Sequence, residues 1–273
     1  MGRAERFDGV AVPAGAQTES VTRDYTMGEL MVAAAAREIG DGELVFVGMR
    51  LPMLAFLVAK RAHAPRAVGL YENGVIRETP SPELLYTMAD PPNLRGATQC
   101  SQMLDVMGLL QQGRVHVGFL GAAEVDRFGN LNSTWGHRNN QTIRLPGSGG
   151  ACDIACLARR TVVLLAHERS RFRERVNHIT SPGFGQGDSW RTTQGLPERS
   201  GPSALITTMG VLRFGSDGEA FLASVHPDVS VEEVLANTGW TLRVADKLVE
   251  TPAPTAAELA TMRELDPHHF WTR

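Results

Sequence analysis

Four stretches of this chain are apolar at nearly every position: "ELVFVG" (43–48), "AVGLY" (67–71), "VHVGFL" (115–120) and "TVVLLA" (161–166). A strand that alternates apolar and polar residues has one wet face, whereas a continuously apolar strand is buried on both. Helical signals lie between these runs. Thr26 and Glu29 form a T-x-x-E capping box that opens a helix through the alanine run to Ile39, where Gly40-Asp41-Gly42 stops it. Pro52 starts a helix reaching about Arg61, and "SQMLDVMGLLQQG" (101–113) has helical spacing with a glycine stop. Buried strands alternating with helices predict an α/β fold with a mainly parallel sheet covered on both faces.

Further along, a helix begins near Val231 and another covers "TAAELATMREL" (255–265). Two stretches fit no regular element: the proline-rich 79–97 and "SPGFGQGDSWRTTQGLPERSGP" (181–202). Loops of the latter length in a compact domain are usually functional or disordered. Residues 1–24 are polar and turn-rich without a clear period, and read as a loose arm lying over something else. No clean linker divides 25–273, so this region reads as a single domain, and 273 residues are ample for a sizeable core.

Bulk properties exclude several classes. A net charge of −3 without an extended basic stripe argues against nucleic acid as a partner. No apolar run approaches the ~18 residues of a membrane span. The N-terminus lacks a basic-then-apolar secretory pattern, which points to a cytoplasmic protein. The three cysteines, Cys100, Cys152 and Cys156, are odd in number and read as reduced thiols. Cys152 and Cys156 share a helix face, but no nearby His or Cys pair completes a metal site, so no metal is expected.

In an open parallel sheet, ligands bind where loops leave the carboxyl ends of strands. Two features fall there. Glu72 follows the "AVGLY" strand and precedes Asn73-Gly74, a strong turn signal. It is either a solvated residue beside a turn or a carboxylate held at the strand end, where it could attack an activated acyl group. The loop "GSGGA" (147–151) precedes the apparent helix "CDIACLA". It lacks the Gly-Lys-Ser/Thr of a P-loop and is not Gly-x-Gly-x-x-Gly. It is either a tight turn, a phosphate cradle, or an oxyanion hole in which the Gly149 and Gly150 N–H groups meet developing negative charge. The basic run "HERSRFRER" (167–175) could meet an anionic cofactor or form a solvated face, and its His167 reads as structural. No G-x-S-x-G elbow offers another nucleophile. "DRFGNLNST" (126–134) is polar and turn-like after a strand, and makes Asn130 and Asn132, with Asn73, candidates for lining a site.

Taken together, "VGMRLPMLAFLVAKRAHAP", "YENG", "FLGAAEVDRFGNLNST", "LPGSGGACDIA", "LLAHERSRF", "VNHITSPG" and "LANTGW" resemble the β subunit of class I coenzyme A transferases, most nearly the glutaconate CoA-transferase type. The resemblance runs from about residue 25 to 268. It implies an open three-layer α/β/α sandwich and a site shared with a separate α-type subunit, in a heterodimer or a multiple of it such as a heterotetramer. It places the family's nucleophilic glutamate at Glu72. Ser148, Gly149 and Gly150 then fall at the oxyanion and CoA-binding loop. The implied reaction moves CoA between an acyl-CoA and a carboxylic acid through a glutamyl-CoA thioester, with no permanently bound cofactor and the CoA thioester as substrate. Related branches hydrolyse and open a steroid ring, or decarboxylate a thioester, without this glutamate; the architecture also serves ligand-binding domains. Asn73 stands where the glutaconate type has Ser, and Cys152 follows the "GSGGA" loop, so the acid substrate stays open.

Overall fold

The computed structural model describes residues 24–138 and 141–273, so the arm expected over 1–24 lies, but for Asp24, outside the described residues. The first half runs α1 (Met27–Ala36), β1 (Leu44–Phe46), α2 (Leu51–Ala62), β2 (Val68–Leu70), β3 (Val75–Arg77), β4 (Gln99–Cys100), α3 (Met103–Gln111), β5 (Val117–Leu120), β6 (Glu124–Asp126), β7 (Leu131–Asn132), β8 (Trp135–Arg138) and β9 (Gln141–Arg144). The second half runs α4 (Ala151–Leu157), β10 (Arg160–Leu165), β11 (Phe172–Arg173), α5 (Trp190–Thr193), β12 (Pro202–Thr207), β13 (Gly210–Phe214), β14 (Ala220–Val225), α6 (Val231–Ala236), β15 (Arg243–Glu250) and α7 (Ala256–Leu265).

Ten strands form one sheet in the order β15-β14-β13-β12-β10-β5-β1-β2-β3-β4. The central five, β12, β10, β5, β1 and β2, are mutually parallel. Four of them are the continuously apolar runs of the sequence. Their neighbouring side chains enter two different cores. Val45, Val117, Val162 and Ala204 face a core shared with α1, α2 and α7. Phe46, Leu70, Val163 and Leu205 face one shared with Leu110 of α3 and Ile154 of α4. Helices therefore cover both faces, giving the three-layer α/β/α arrangement.

The Thr26–Glu29 capping box forms, the Thr26 side chain accepting the Glu29 N–H, and the structure adds two more, with Ser230 accepting from Glu233 N–H and Thr255 from Glu258 N–H. Strands β13 to β15 carry no continuous apolar run. In β14, buried and partly buried residues alternate, and β15 is mostly exposed. Antiparallel pairing of β13 with β12 and β14 extends the sheet past its parallel centre.

Each long irregular stretch wraps a buried arginine. Arg77 is 1% exposed and donates to the carbonyls of Thr79, Pro80, Asn93 and Arg95, which folds 79–97 around it. Arg191 is 4% exposed and donates to Gly183, Ala155 and Cys156 carbonyls and to Ser200 Oγ. Segment 181–202 is thus tied to the end of α4. A guanidinium has five fixed donors and can satisfy several turn carbonyls at once. Among the described residues no helix is long and apolar enough to cross a membrane.

Candidate active site

Chain leaving β2 turns at once. The Gly74 N–H donates to the Tyr71 carbonyl at 2.9 Å, closing a turn with Glu72 and Asn73 at its two central positions. Gly74 has φ +98, and a Cβ there would collide with the Ser101 carbonyl oxygen. The Gly74 carbonyl in turn accepts the Ser101 N–H at 3.0 Å and its hydroxyl at 2.8 Å. Asn73 Nδ2 donates to the Met88 carbonyl at 2.8 Å, pinning the turn to the 79–97 segment. The turn is therefore held from both sides, and Glu72 leaves it half-buried at the end of β2.

The glycine loop reaches the same point from across the sheet. Helix α4 packs on β5 with Ile154 filling the space over Gly118 that a side chain would need. This seats the start of α4 so that the Gly150 N–H donates to Glu72 Oε1 at 2.9 Å. A Cβ built on Gly150 would lie 3.0 Å from that oxygen, and one on Gly149 3.6 Å from it. Glu72 and the 147–151 loop, separate in sequence, are in contact.

Both border a crevice of about 800 Å³ at the carboxyl ends of the parallel strands. Phe46, Val47 and Gly48 at the end of β1, Phe119 to Gly121 at the end of β5, and Leu164 to Ala166 at the end of β10 line it. Glu72, Ser148, Ala151 and Ile154 form one wall. Met49, Arg50, Phe270, Trp271 and Arg273 also line it, and Arg171 is the residue of the basic run that does. Among the described residues lining the crevice, Glu72 is the one carboxylate side chain and Arg50, Arg171 and Arg273 are three arginines, so this lining favours an anionic guest.

Other candidates fall elsewhere. Asn130, 1% exposed, donates to Asp126 and to the Gly185 carbonyl and accepts the Gly183 and Gly185 N–H groups. Asn132 is fully buried, bound to Glu124 and to the Thr134 and Trp135 N–H groups. Both hold loops together behind the site, and Asn73 is spent on Met88; none of the three borders the crevice. A G-N-L-N run reads equally as site or scaffold, and buried carboxylates at Asp126 and Glu124 decide for scaffold. His167 is sandwiched by Thr207 and Thr238 hydroxyls, each at 3.0 Å, and stacks on Phe172 at 3.8 Å. Burial, with His226 nearby, lowers its pKa to about 4, so it is a neutral structural group. Burial and the adjacent Cys152 push the Cys156 thiol up to about 11, far from a thiolate nucleophile. Among the described residues no cluster of three or more His, Cys, Asp and Glu could hold a metal ion.

Sequence reasoning missed Arg50 and the 270–273 wall. Neither carries a motif, and both reach the crevice only through tertiary packing.

The coenzyme A transferase family model matches residues 29–237. The chain is 39% identical to the β-type subunit of 3-oxoadipate CoA-transferase from Pseudomonas knackmussii over 245 residues, covering 89% of this chain and 94% of the relative. It is 34% identical to the corresponding subunit of glutaconate CoA-transferase from Acidaminococcus fermentans, with the same coverage of 89% and 94%. The crystal structure of the Acidaminococcus glutaconate coenzyme A-transferase superposes with a TM-score of 0.84 at 31% identity, covering 92% of this chain and 98% of that one.

Proposed function

The chain belongs to the coenzyme A transferase family, and from that premise we propose that it is the β subunit of a heteromeric CoA transferase with Glu72 as its nucleophile. The hydrogen bond from Gly150 N–H to Glu72 Oε1, at the mouth of the crevice, carries this reading. It orients the carboxylate with Oε1 held by the loop and the second oxygen left to attack. Both relatives are single subunits of heteromeric enzymes, so an α-type subunit completes the site.

The steps follow from that geometry. Glu72 adds to the thioester carbonyl of a donor acyl-CoA; the C–S bond breaks, CoA thiolate leaves, and an acyl-glutamyl anhydride remains. Thiolate then adds to the Glu72 Cδ and expels the donor acid, leaving a glutamyl-CoA thioester. An acceptor carboxylate adds to Cδ and releases thiolate, which attacks the acceptor acyl carbon. This frees Glu72 and the new acyl-CoA. In every addition at Cδ, negative charge develops on Oε1, the oxygen already facing Gly150 N–H. The amide thus serves the glutamyl-centred tetrahedral intermediates, and such a donor contributes about 2.7–4 kcal/mol. Gly149 N–H and Ser148 are left for the substrate side of the loop. In this reading Glu72 is the covalent carrier in each step, with the CoA thioester as substrate.

Steady-state kinetics of the complex with its α-type subunit test the reading. A double-displacement reaction gives parallel double-reciprocal plots for acyl-CoA and acid, and Glu72→Gln abolishes transfer. Release of free CoA at full rate without any acid would instead mark a thioester hydrolase.

A further inference from the structure

A second hollow, of about 390 Å³, shares no lining residue with the crevice. Three sequence stretches that the transfer chemistry leaves largely unused meet there: Arg127 comes from "DRFGNLNST", Arg169 from "HERSRFRER" and Trp240 from "LANTGW". Trp240 is 8% exposed, and its Nε1–H is buried without an acceptor. The ring is held where it is. It stacks on Phe172 at 5.8 Å, Phe172 stacks on His167, and a Cβ on the preceding Gly239 would collide with the Phe172 carbonyl. Arg127 Nε is also buried without an acceptor. Glu219 and Glu174 carboxylate oxygens stand 3.8 and 3.9 Å from its guanidinium, beyond hydrogen-bond reach. Arg169 uses Nη1 on the Ala236 and Thr238 carbonyls, at 3.1 and 2.7 Å, and pairs with no carboxylate among the described residues.

These groups have one chemistry in common. Guanidinium and indole N–H groups donate and never accept. A buried donor left unpaired is destabilising, and in a native fold it marks a missing acceptor. Here two such donors belong to residues of one hollow, with a second arginine beside them. The carboxylate in its lining is Glu174, whose side chain is 70% exposed. Two arginines oppose a cation and favour an anion. Their donors and the indole N–H arrive from three segments: the turn between β6 and β7, the chain between β10 and β11, and the chain after α6. A planar carboxylate offers two oxygens along one edge, whereas a tetrahedral phosphate presents oxygens in several directions at once. We propose that this hollow binds a phosphate group, held by Arg127, Arg169 and the Trp240 indole N–H. The site is separate from the Glu72 chemistry and does not depend on it.

Calorimetric titration of the complex with its α-type subunit tests this, using inorganic phosphate, AMP and acetate at matched ionic strength. Expected is saturable binding of phosphate, or tighter binding of AMP where the group is carried on a larger molecule, with acetate weaker than both. Arg127→Gln and Trp240→Phe, the latter keeping the ring stack, should each lower the affinity by about tenfold or more, the range of a hydrogen bond to a charged group. Phosphate should raise the melting temperature of wild type more than that of either variant. Ligand-free Trp240→Phe should melt no lower than wild type, because the N–H it loses has no partner. Transfer activity and the KM for acyl-CoA should be unchanged in both variants. No saturable binding at millimolar concentrations, equal affinity in the variants, or acetate binding as tightly as phosphate would overturn the proposal. A lower melting temperature in ligand-free Trp240→Phe would overturn it too, by showing the N–H already satisfied. So would a raised KM for acyl-CoA in either variant, which would assign the hollow to the coenzyme.

Discussion

Gly150 N–H and Glu72 Oε1 are 2.9 Å apart although 78 residues separate them in the chain. The contact joins the turn that leaves β2 to the loop between β9 and α4, and in the proposed reading it sets which carboxylate oxygen is free to react.

Gly150→Ala tests that contact without touching either loop's fold. Gly150 has φ −76 and ψ 0, which alanine adopts freely, but its Cβ would sit 3.0 Å from Oε1 and 3.2 Å from Met107 Cε. Expected is a loss in kcat of about a hundredfold with little change in melting temperature. Unchanged kcat would mean the contact is incidental.

Glu72→Asp keeps the charge and withdraws it by one methylene. A displacement of that size typically costs about a hundredfold in rate. The half-buried side chain is not a core element, so denaturant unfolding should shift by less than about 0.5 kcal/mol. Full turnover in the aspartate variant would argue against a positioned nucleophile.

Gly74→Ala should fail differently. The left-handed backbone and the collision with the Ser101 carbonyl both oppose a side chain. Stability should fall by about 2 kcal/mol or more, together with activity, because the turn that carries Glu72 must move. A stable, active variant would contradict the proposed support of the turn.

His167 supplies a pH dependence. Its folded pKa of about 4 lies below the ordinary 6.5, so the unfolded chain binds the proton first. Its contribution is complete above pH 6.5, falls as pH drops towards 4, and amounts to roughly 3 kcal/mol. Urea unfolding at pH 7 and pH 5 should show this slope, reduced in His167→Gln. A wild type equally stable at both values would refute it.

Much of this was legible in the sequence. The four apolar runs became central parallel strands because burial on both faces leaves no polar alternation to disguise them. The Thr26–Glu29 box and the Asn73-Gly74 turn are local signals and formed locally. Glu72 could be singled out because it ends such a strand, and Gly150 because it opens α4. What joins them is Ile154 seated over Gly118, a packing event with no local signature. Arg77 and Arg191 were opaque for a similar reason: an arginine amid prolines and glycines reads as solvated until turn carbonyls converge on it. β13 to β15 escaped notice because partly exposed strands at the edge of a sheet carry polar residues. Asn130 and Asn132 do not line the crevice, because polar loop residues after a strand hold scaffolds together as readily as they line sites.

The proposed glutamyl-CoA thioester on Glu72 can be tested directly. The complex with its α-type subunit would be incubated with acyl-CoA, reduced with borohydride, digested, and mapped by mass spectrometry. Expected is inactivation only after donor exposure, with the peptide bearing Glu72 carrying a side chain reduced from carboxylate to alcohol. An active enzyme whose Glu72 peptide stays unmodified, or full activity in Glu72→Ala, would contradict covalent catalysis at this residue.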